Sequence, residues 1–178
     1  MTTAPGTDAL RLRRVRVRPE DGKTDDPLTM DTPLVVETEY WIGAPGRNLG
    51  ITYHFYNDQG IVIFVSGTAE PSAFQCSERP SRALRSTCRV PGNLLNSGWH
   101  SLKLLIVEDG SRVVHEEEAV VSFDIQDVRE REGGWMGREP GVVQPLLDWR
   151  TEELSPGTGE DVEQAMIPTD RGREKVSN

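Results

Sequence analysis

The chain has 178 residues, a formal net charge of −9 and a sequence pI near 4.9, a length that suits one domain with a real core plus tails rather than two domains of ordinary size. An acidic surface repels a duplex, and phosphate contacts supply most non-specific affinity, so the balance argues against a general nucleic-acid binder. The N-terminus has neither the basic start nor the apolar run of a signal peptide, and nowhere does the sequence hold the roughly 18 consecutive apolar residues of a membrane-spanning helix.

Residues 1–8 are small and polar and are expected to be disordered, with one β-sandwich domain over 9–149. Between 10 and 18 the apolar positions shift from even (Leu10, Leu12) to odd (Val15, Val17), which predicts a strand with a bulge near Arg13 and Arg14. Its wet side carries Arg11, Arg13, Arg14, Arg16 and Arg18, either guarding an edge strand by charge or meeting acidic groups of a ligand or partner. Residues 19–33 are polar and turn-rich. Gly22-Lys23-Thr24 resembles the end of a phosphate-binding loop, but Val17 stands where that motif needs glycine, and Asp25, Asp26 and Pro27 follow where a helix would have to open. The second strand, 34–42, puts Leu34, Val36, Thr38, Tyr40 and Ile42 on one face and Glu37, Glu39 and Trp41 on the other, with Trp41 at the solvent end.

The strongest hairpin spans 49–66. Leu49, Ile51, Tyr53 and Phe55 alternate with Gly50, Thr52, His54 and Tyr56, the period of a half-buried strand. Asn57 to Gly60 supplies side chains that bond their own backbone and a glycine that accepts positive φ. The returning strand is apolar from Ile61 to Val65, which predicts cover on both faces. A long loop over 69–83 has the length of a binding or mobile loop. Leu84, Ser86, Cys88 and Val90 mark a further strand, and the 91–98 break is read as a single helical turn that places Leu94 or Leu95 over the core end. A strand resumes from Trp99 to Glu108, Asp109-Gly110 is a hairpin turn, and a last strand holds Ala119, Val121, Phe123 and Ile125 inward, with Ser122 and Asp124 outward. Short strands at regular spacing with no 3.6-residue pattern predict an all-β, immunoglobulin-like antiparallel sandwich. Cys76 and Cys88, the only cysteines, are too close in sequence to bridge two sheets around a tryptophan; whether they pair is left open.

Residues 133–149 are irregular yet carry Trp135, Val142, Val143, Leu146, Leu147 and Trp149. Each aliphatic would contribute roughly 1.5–3 kcal/mol on burial, so the segment is expected to dock on a sheet face, its own or a partner's. Five apolar side chains beyond a hinge at Gly133, Gly134 and Gly137 suit strand exchange in a homodimer. Residues 150–178 turn acidic and polar and are expected to form a disordered tail.

Catalytic constellations are missing. His115-Glu116-Glu117-Glu118-Ala119 opens like a zinc-protease motif but lacks its second histidine, no Gly-x-Ser-x-Gly occurs, and His54, His100 and His115 stand in unrelated contexts. The reading is a protein that is not an enzyme and needs no cofactor or metal. A binding face is better supported: Thr52, His54 and Tyr56 share one parity, Val62, Phe64 and Ser66 lie opposite by hairpin pairing, and Ser101, Lys103 and Leu105 line the same sheet if the strand from Trp99 joins it. Rings that take the C–H face of a sugar, beside side chains that take its hydroxyls, make a carbohydrate surface, with His54, Tyr56, Phe64 and Lys103 as candidate contacts. The competing reading is that Val62, Phe64 and Leu105 bury a dimer interface or the Trp149 segment, as in a protein-interaction module without sugar binding.

The turn Asn57-Asp-Gln-Gly60, the step Val90-Pro-Gly-Asn-Leu-Leu-Asn-Ser-Gly98, the strand from Ala119 to Ile125 and the ending Gly141-Val-Val-Gln-Pro-Leu-Leu-Asp-Trp149 together resemble the C-terminal carbohydrate-binding domain of Wzt-type nucleotide-binding subunits of ABC exporters of lipopolysaccharide O-antigen, over about residues 10–149. The resemblance implies an immunoglobulin-like sandwich that binds the exported polysaccharide, often at its modified non-reducing end, on the cytoplasmic side at the inner face of the inner membrane. It also implies a homodimer whose C-terminal strand, here Val142, Val143, Leu146, Leu147 and Trp149, exchanges between protomers, and an ABC transporter or glycan-modifying enzyme as partner, with no direct membrane insertion. The chain departs from the family's usual context in lacking a nucleotide-binding loop and room for an ATPase domain, so it is expected to be either separately encoded or a piece of a longer protein.

Overall fold

The structure, a computed structural model, describes residues 5–43, 47–68, 82–128 and 140–152. It separates into two units, Met1–Leu146 and Leu147–Asn178. The first is an all-β, immunoglobulin-like sandwich built from β1 (Leu10–Pro19), β2 (Leu28–Thr29), β3 (Leu34–Ile42), β4 (Leu49–Asn57), β5 (Val62–Gly67), β6 (Arg82–Val90), β7 (Gly98–Glu108) and β8 (Arg112–Gln126). One sheet has the order β1-β3-β6 and the other β2-β8-β7-β4-β5.

The core lies between the sheets and follows the alternation in the sequence. Leu34, Val36, Thr38, Tyr40 and Ile42 of β3 face Leu49, Ile51, Tyr53 and Phe55 of β4 and Leu102, Leu104 and Ile106 of β7, all buried. The buried hydroxyls are paired, as burial requires: Thr38 Oγ1 and Tyr53 Oη lie 2.8 Å apart, and Tyr40 Oη and Ser86 Oγ 2.9 Å. Burial pushes the Tyr53 phenol up to about 12, against the lowering effect of its Thr38 bond.

The turns have the chemistry their residues suggest. Asn57 Oδ1 accepts the backbone N–H of Gln59 at 3.0 Å and of Ile61 at 2.8 Å, and Gly60 takes φ of +73°. Asp109 and Gly110 both have positive φ, 51° and 70°, the requirement of a type I′ hairpin. The 91–98 break is a turn rather than a helix: Asn93 N–H donates to the Met30 carbonyl at 2.6 Å, and Gly92 packs so closely that a Cβ there would stand 2.1 Å from the Asp31 carbonyl oxygen. Of the two leucines, Leu95 is the buried plug.

β1 is an edge strand, with its register shift between Leu12 and Arg14, at the expected bulge. Its arginines meet carboxylates of the chain itself: Arg16 and Arg18 both bind Glu37, with Arg18 Nε to Glu37 Oε1 at 3.1 Å, and Arg13 and Arg85 flank Glu39. Three expectations are corrected. The 19–33 turn region contains β2, parallel to β8, and delivers Leu28 and Met30 to the core. Ala119, expected inward, is exposed at a bulge in β8 with φ of +45°, while Val121, Phe123 and Ile125 do turn inward. β5, expected to be covered on both faces, is the open edge of the larger sheet, with Ile61, Val62 and Val65 exposed.

Residues 140–152 form no strand. Within the first unit, Val143 makes an isolated antiparallel bridge to Leu95, Gln144 N–H donates to the Leu94 carbonyl at 3.0 Å, and Asn96 Nδ2 donates to the Gly141 carbonyl at 3.0 Å. Val142 is half-buried, while Val143 and Leu146 are exposed. In the second unit the described residues run from 147 to 152, with Leu147 and Trp149 exposed and Arg150 paired to Glu152 at 2.8 Å. The expected 69–83 loop (except Arg82 and Ala83, in β6), the Cys76–Cys88 question, Trp135, the hinge at Gly133, Gly134 and Gly137, and most of the tail lie outside the described residues.

Candidate functional site: the outer face of the five-stranded sheet

β4 pairs antiparallel along its whole length with His100–Glu108 of β7, because Tyr53, Phe55, Leu102 and Leu104 need the same core. Alternation then sends the intervening residues outward together: Thr52 stands opposite Leu105, His54 opposite Lys103 and Tyr56 opposite Ser101. The His54 and Tyr56 rings are neighbours, 6.4 Å between centroids and tilted by 34°. On the far side of β7, Ser122 registers with Ser101 and Asp124 with Trp99.

Of the four candidate contacts, the structure brings together His54, Tyr56 and Lys103 but turns Phe64 away. A register shift between Phe55 and Tyr56 inserts Ile63 as an extra residue, so Phe64 lies opposite Phe55 and stacks on it, 4.3 Å between centroids, against the core. Val65 and Val62 take the outer positions beside His54 and Tyr56. Of the expected outward set Val62, Phe64 and Ser66, Val62 does face outward, while Phe64 and Ser66 turn inward because the bulge exchanges the two faces beyond it.

Lys103 is also more engaged than expected. Its Nζ is held between Glu116 and Glu118, the latter at 2.6 Å, where β8 bulges around Ala119. The hydrogen bonds that Lys103 donates to these two carboxylates raise its pKa, and the bond to Glu116 is the main cause that lowers the Glu116 pKa. An ammonium has three donors, so one remains after these two bonds, surrounded by carboxylate acceptors. One ammonium between two carboxylates leaves the cluster net negative, and it presents hydrogen-bonding groups rather than a free cation.

Trp99 belongs to the same row and was missed. It is 60% exposed, occupies the position two before Ser101, and lies diagonally across from Tyr56. Its odd parity with Ser101, Lys103 and Leu105 was the available signal, obscured because it begins the strand. The other histidines are elsewhere: His100 is in the core, stacked on Phe123 at 5.5 Å, and His115 lies 3.4 Å from Glu117. Among the described residues no group of three or more His, Cys, Asp or Glu is placed to hold a metal, and no helix is long and apolar enough to cross a membrane.

The arrangement is a shallow sheet surface on which Trp99, Tyr56 and His54 expose rings beside Ser101, Ser122, Asp124 and the Lys103 cluster. Rings present flat apolar area, and the neighbouring groups donate and accept hydrogen bonds at the ring edges, the combination a sugar requires.

No family model matches the sequence, and no curated protein matches it. Among solved structures the chain is similar to one described as "Crystal structure of the C-terminal domain of wzt", at 12% identity and a TM-score of 0.60, over 83% of this chain and 86% of that one. The resemblance expected from the sequence therefore holds in three dimensions: this chain has the sandwich fold of the Wzt C-terminal domain.

Proposed function

We propose that the protein is a non-catalytic polysaccharide-binding module that holds its glycan on the outer face of the five-stranded sheet, with Trp99, Tyr56 and His54 as the ring platform and Lys103, Ser101 and Asp124 as hydroxyl partners. The observation that carries the reading is the co-location of exposed Trp99 with Tyr56 and His54 beside the polar cluster of Lys103, Glu116 and Glu118. The shared fold with the Wzt C-terminal domain supports a role in polysaccharide export, in which the module presents O-antigen to an ABC transporter or a glycan-modifying enzyme on the cytoplasmic side. Calorimetric titration with size-fractionated surface polysaccharide from the source organism tests it: saturable binding is expected, and a folded sample that binds no glycan overturns it. Stoichiometric recovery of a protein partner unaffected by added sugar would favour the protein-interaction reading instead.

The same proposal includes a homodimer completed by the C-terminal segment. Two features support it. β5 offers an open edge without a single charge from Ile61 to Gly67, in contrast to the arginine-guarded β1, and Leu146, Leu147 and Trp149 stand exposed. Among the described residues nothing pairs with that edge, and an exchanged strand would supply a partner for it. Light scattering at concentrations on the order of tens of micromolar is expected to give a dimer for the full chain, and a less soluble monomer for a chain ending at residue 140. A monomeric full chain removes the dimer.

A further inference from the structure

The sandwich opens laterally where β1, the edge of the smaller sheet, faces β8. The two-residue β2 pairs with β8 only at Ile125 and Gln126, so among the described residues the stretch from Val121 to Asp124 has no strand partner on that side. Between the two strands runs a groove of about 420 Å³, within the ~300–1,000 Å³ range of small-ligand sites. Its lining is amphipathic. Val17 and Phe123 contribute buried apolar surface, while Arg14, Thr24, Ser122 and Asp124 contribute donors and acceptors. Arg14 makes no ion pair among the described residues, unlike Arg13, Arg16 and Arg18 beside it.

A peptide strand is a poor occupant. Both edges are bulged, β1 at Arg13 and β8 around Ala119, and the charged Arg14 and Asp124 line the gap between them; bulges and charges of this kind disfavour strand addition. A hydroxylated ligand uses the same features, since guanidinium and carboxylate side chains bond hydroxyls and a carbohydrate needs no continuous ladder. The groove is also continuous with the ring platform: Ser122 and Asp124 line it and at the same time register with Ser101 and Trp99 on the outer face. We propose that the groove between β1 and β8 is a second carbohydrate subsite, which takes sugar residues of a chain that starts on the Trp99–Tyr56 platform and passes over the edge of β8. This rests on the glycan reading of the outer face.

The test is a ladder of oligosaccharides, from disaccharide upward, prepared from the source organism's surface polysaccharide and titrated into wild type and the double variant Arg14→Ala/Thr24→Ala. Both side chains are exposed, so the variant is expected to keep the wild-type thermal midpoint. Wild-type affinity should rise with length until the groove is filled, and the variant should bind the shortest members as wild type does while losing about tenfold on the longest, the effect of about 1.4 kcal/mol in contacts. Equal affinities for wild type and variant at every length overturn the subsite and leave the platform standing. A wild type that binds no member of the ladder overturns both.

Discussion

Replacing Glu37 by alanine is expected to cost about 3 kcal/mol of stability, read as a fall in denaturation midpoint with an unchanged slope. Glu37 is buried although it faces outward, because the Arg16 and Arg18 side chains lie over it from β1. Burial raises its carboxyl pKa, but the bonds and charges of Arg18 and Arg16 outweigh that and hold it below the ordinary 4.5. Removing one partner of such a group leaves like charges facing each other with nothing between them, which is the costly change, whereas replacing all members by apolar side chains of similar size is often nearly neutral. The triple variant Arg16→Met/Glu37→Leu/Arg18→Met is therefore expected to recover most of the loss, and equal destabilisation of both variants would show that the ion pairs matter for more than mutual compensation. The pH dependence follows from the same group together with Glu39 and Glu20, whose pKa values are also lowered, chiefly by hydrogen bonds from Arg85 and Arg89. A carboxylate depressed on folding stabilises above its unfolded pKa, and the contribution disappears as pH falls through the folded value. The thermal midpoint should be flat near neutrality and drop below about pH 4.5, and Glu37→Gln should flatten that acid limb.

The alternation of β3, β4 and β7 was legible in the sequence because a period of two assigns faces whenever one side is buried, and both hairpin turns carry glycine or asparagine where the backbone demands it. The bulge in β1 was legible for the same reason, as a change of parity. The bulge in β5 was not. Ile61 to Val65 is apolar throughout, so no parity marks the extra residue, and Phe64 was assigned to the wrong face. Lys103 could be placed on its face, but the carboxylates that clamp it depend on a bulge around Ala119 that the run Glu116 to Glu118 does not advertise. β2 was invisible because two residues carry no period at all, and its Leu28, with Met30 just after it, enters the core from a stretch that is otherwise polar.

Alanine at Trp99 is expected to weaken glycan binding about tenfold, and at Tyr56 by a similar factor, with the pair of substitutions weakening it about a hundredfold, from micromolar to roughly 0.1 mM (about 2.8 kcal/mol) for an oligosaccharide that binds wild type at micromolar strength. An aromatic anchor that loses its ring typically costs more than 1 kcal/mol, and the loss is larger where the ring covers desolvated ligand surface. The two positions separate binding from folding to different degrees. Trp99 is mostly exposed, so its removal takes little from the core and the thermal midpoint should stay within the range of ordinary surface changes. Tyr56 is half-buried beside His54 and Val62, so a modest fall in midpoint is expected there. Phe64→Ala supplies the contrast. Because Phe64 stacks on buried Phe55, it should destabilise the fold by about 3 kcal/mol and leave the affinity of the remaining folded protein unchanged. Full affinity retained by both Trp99→Ala and Tyr56→Ala would move the ligand off this face, whereas lost affinity with an unmoved midpoint in Trp99→Ala ties the ring platform to the sugar.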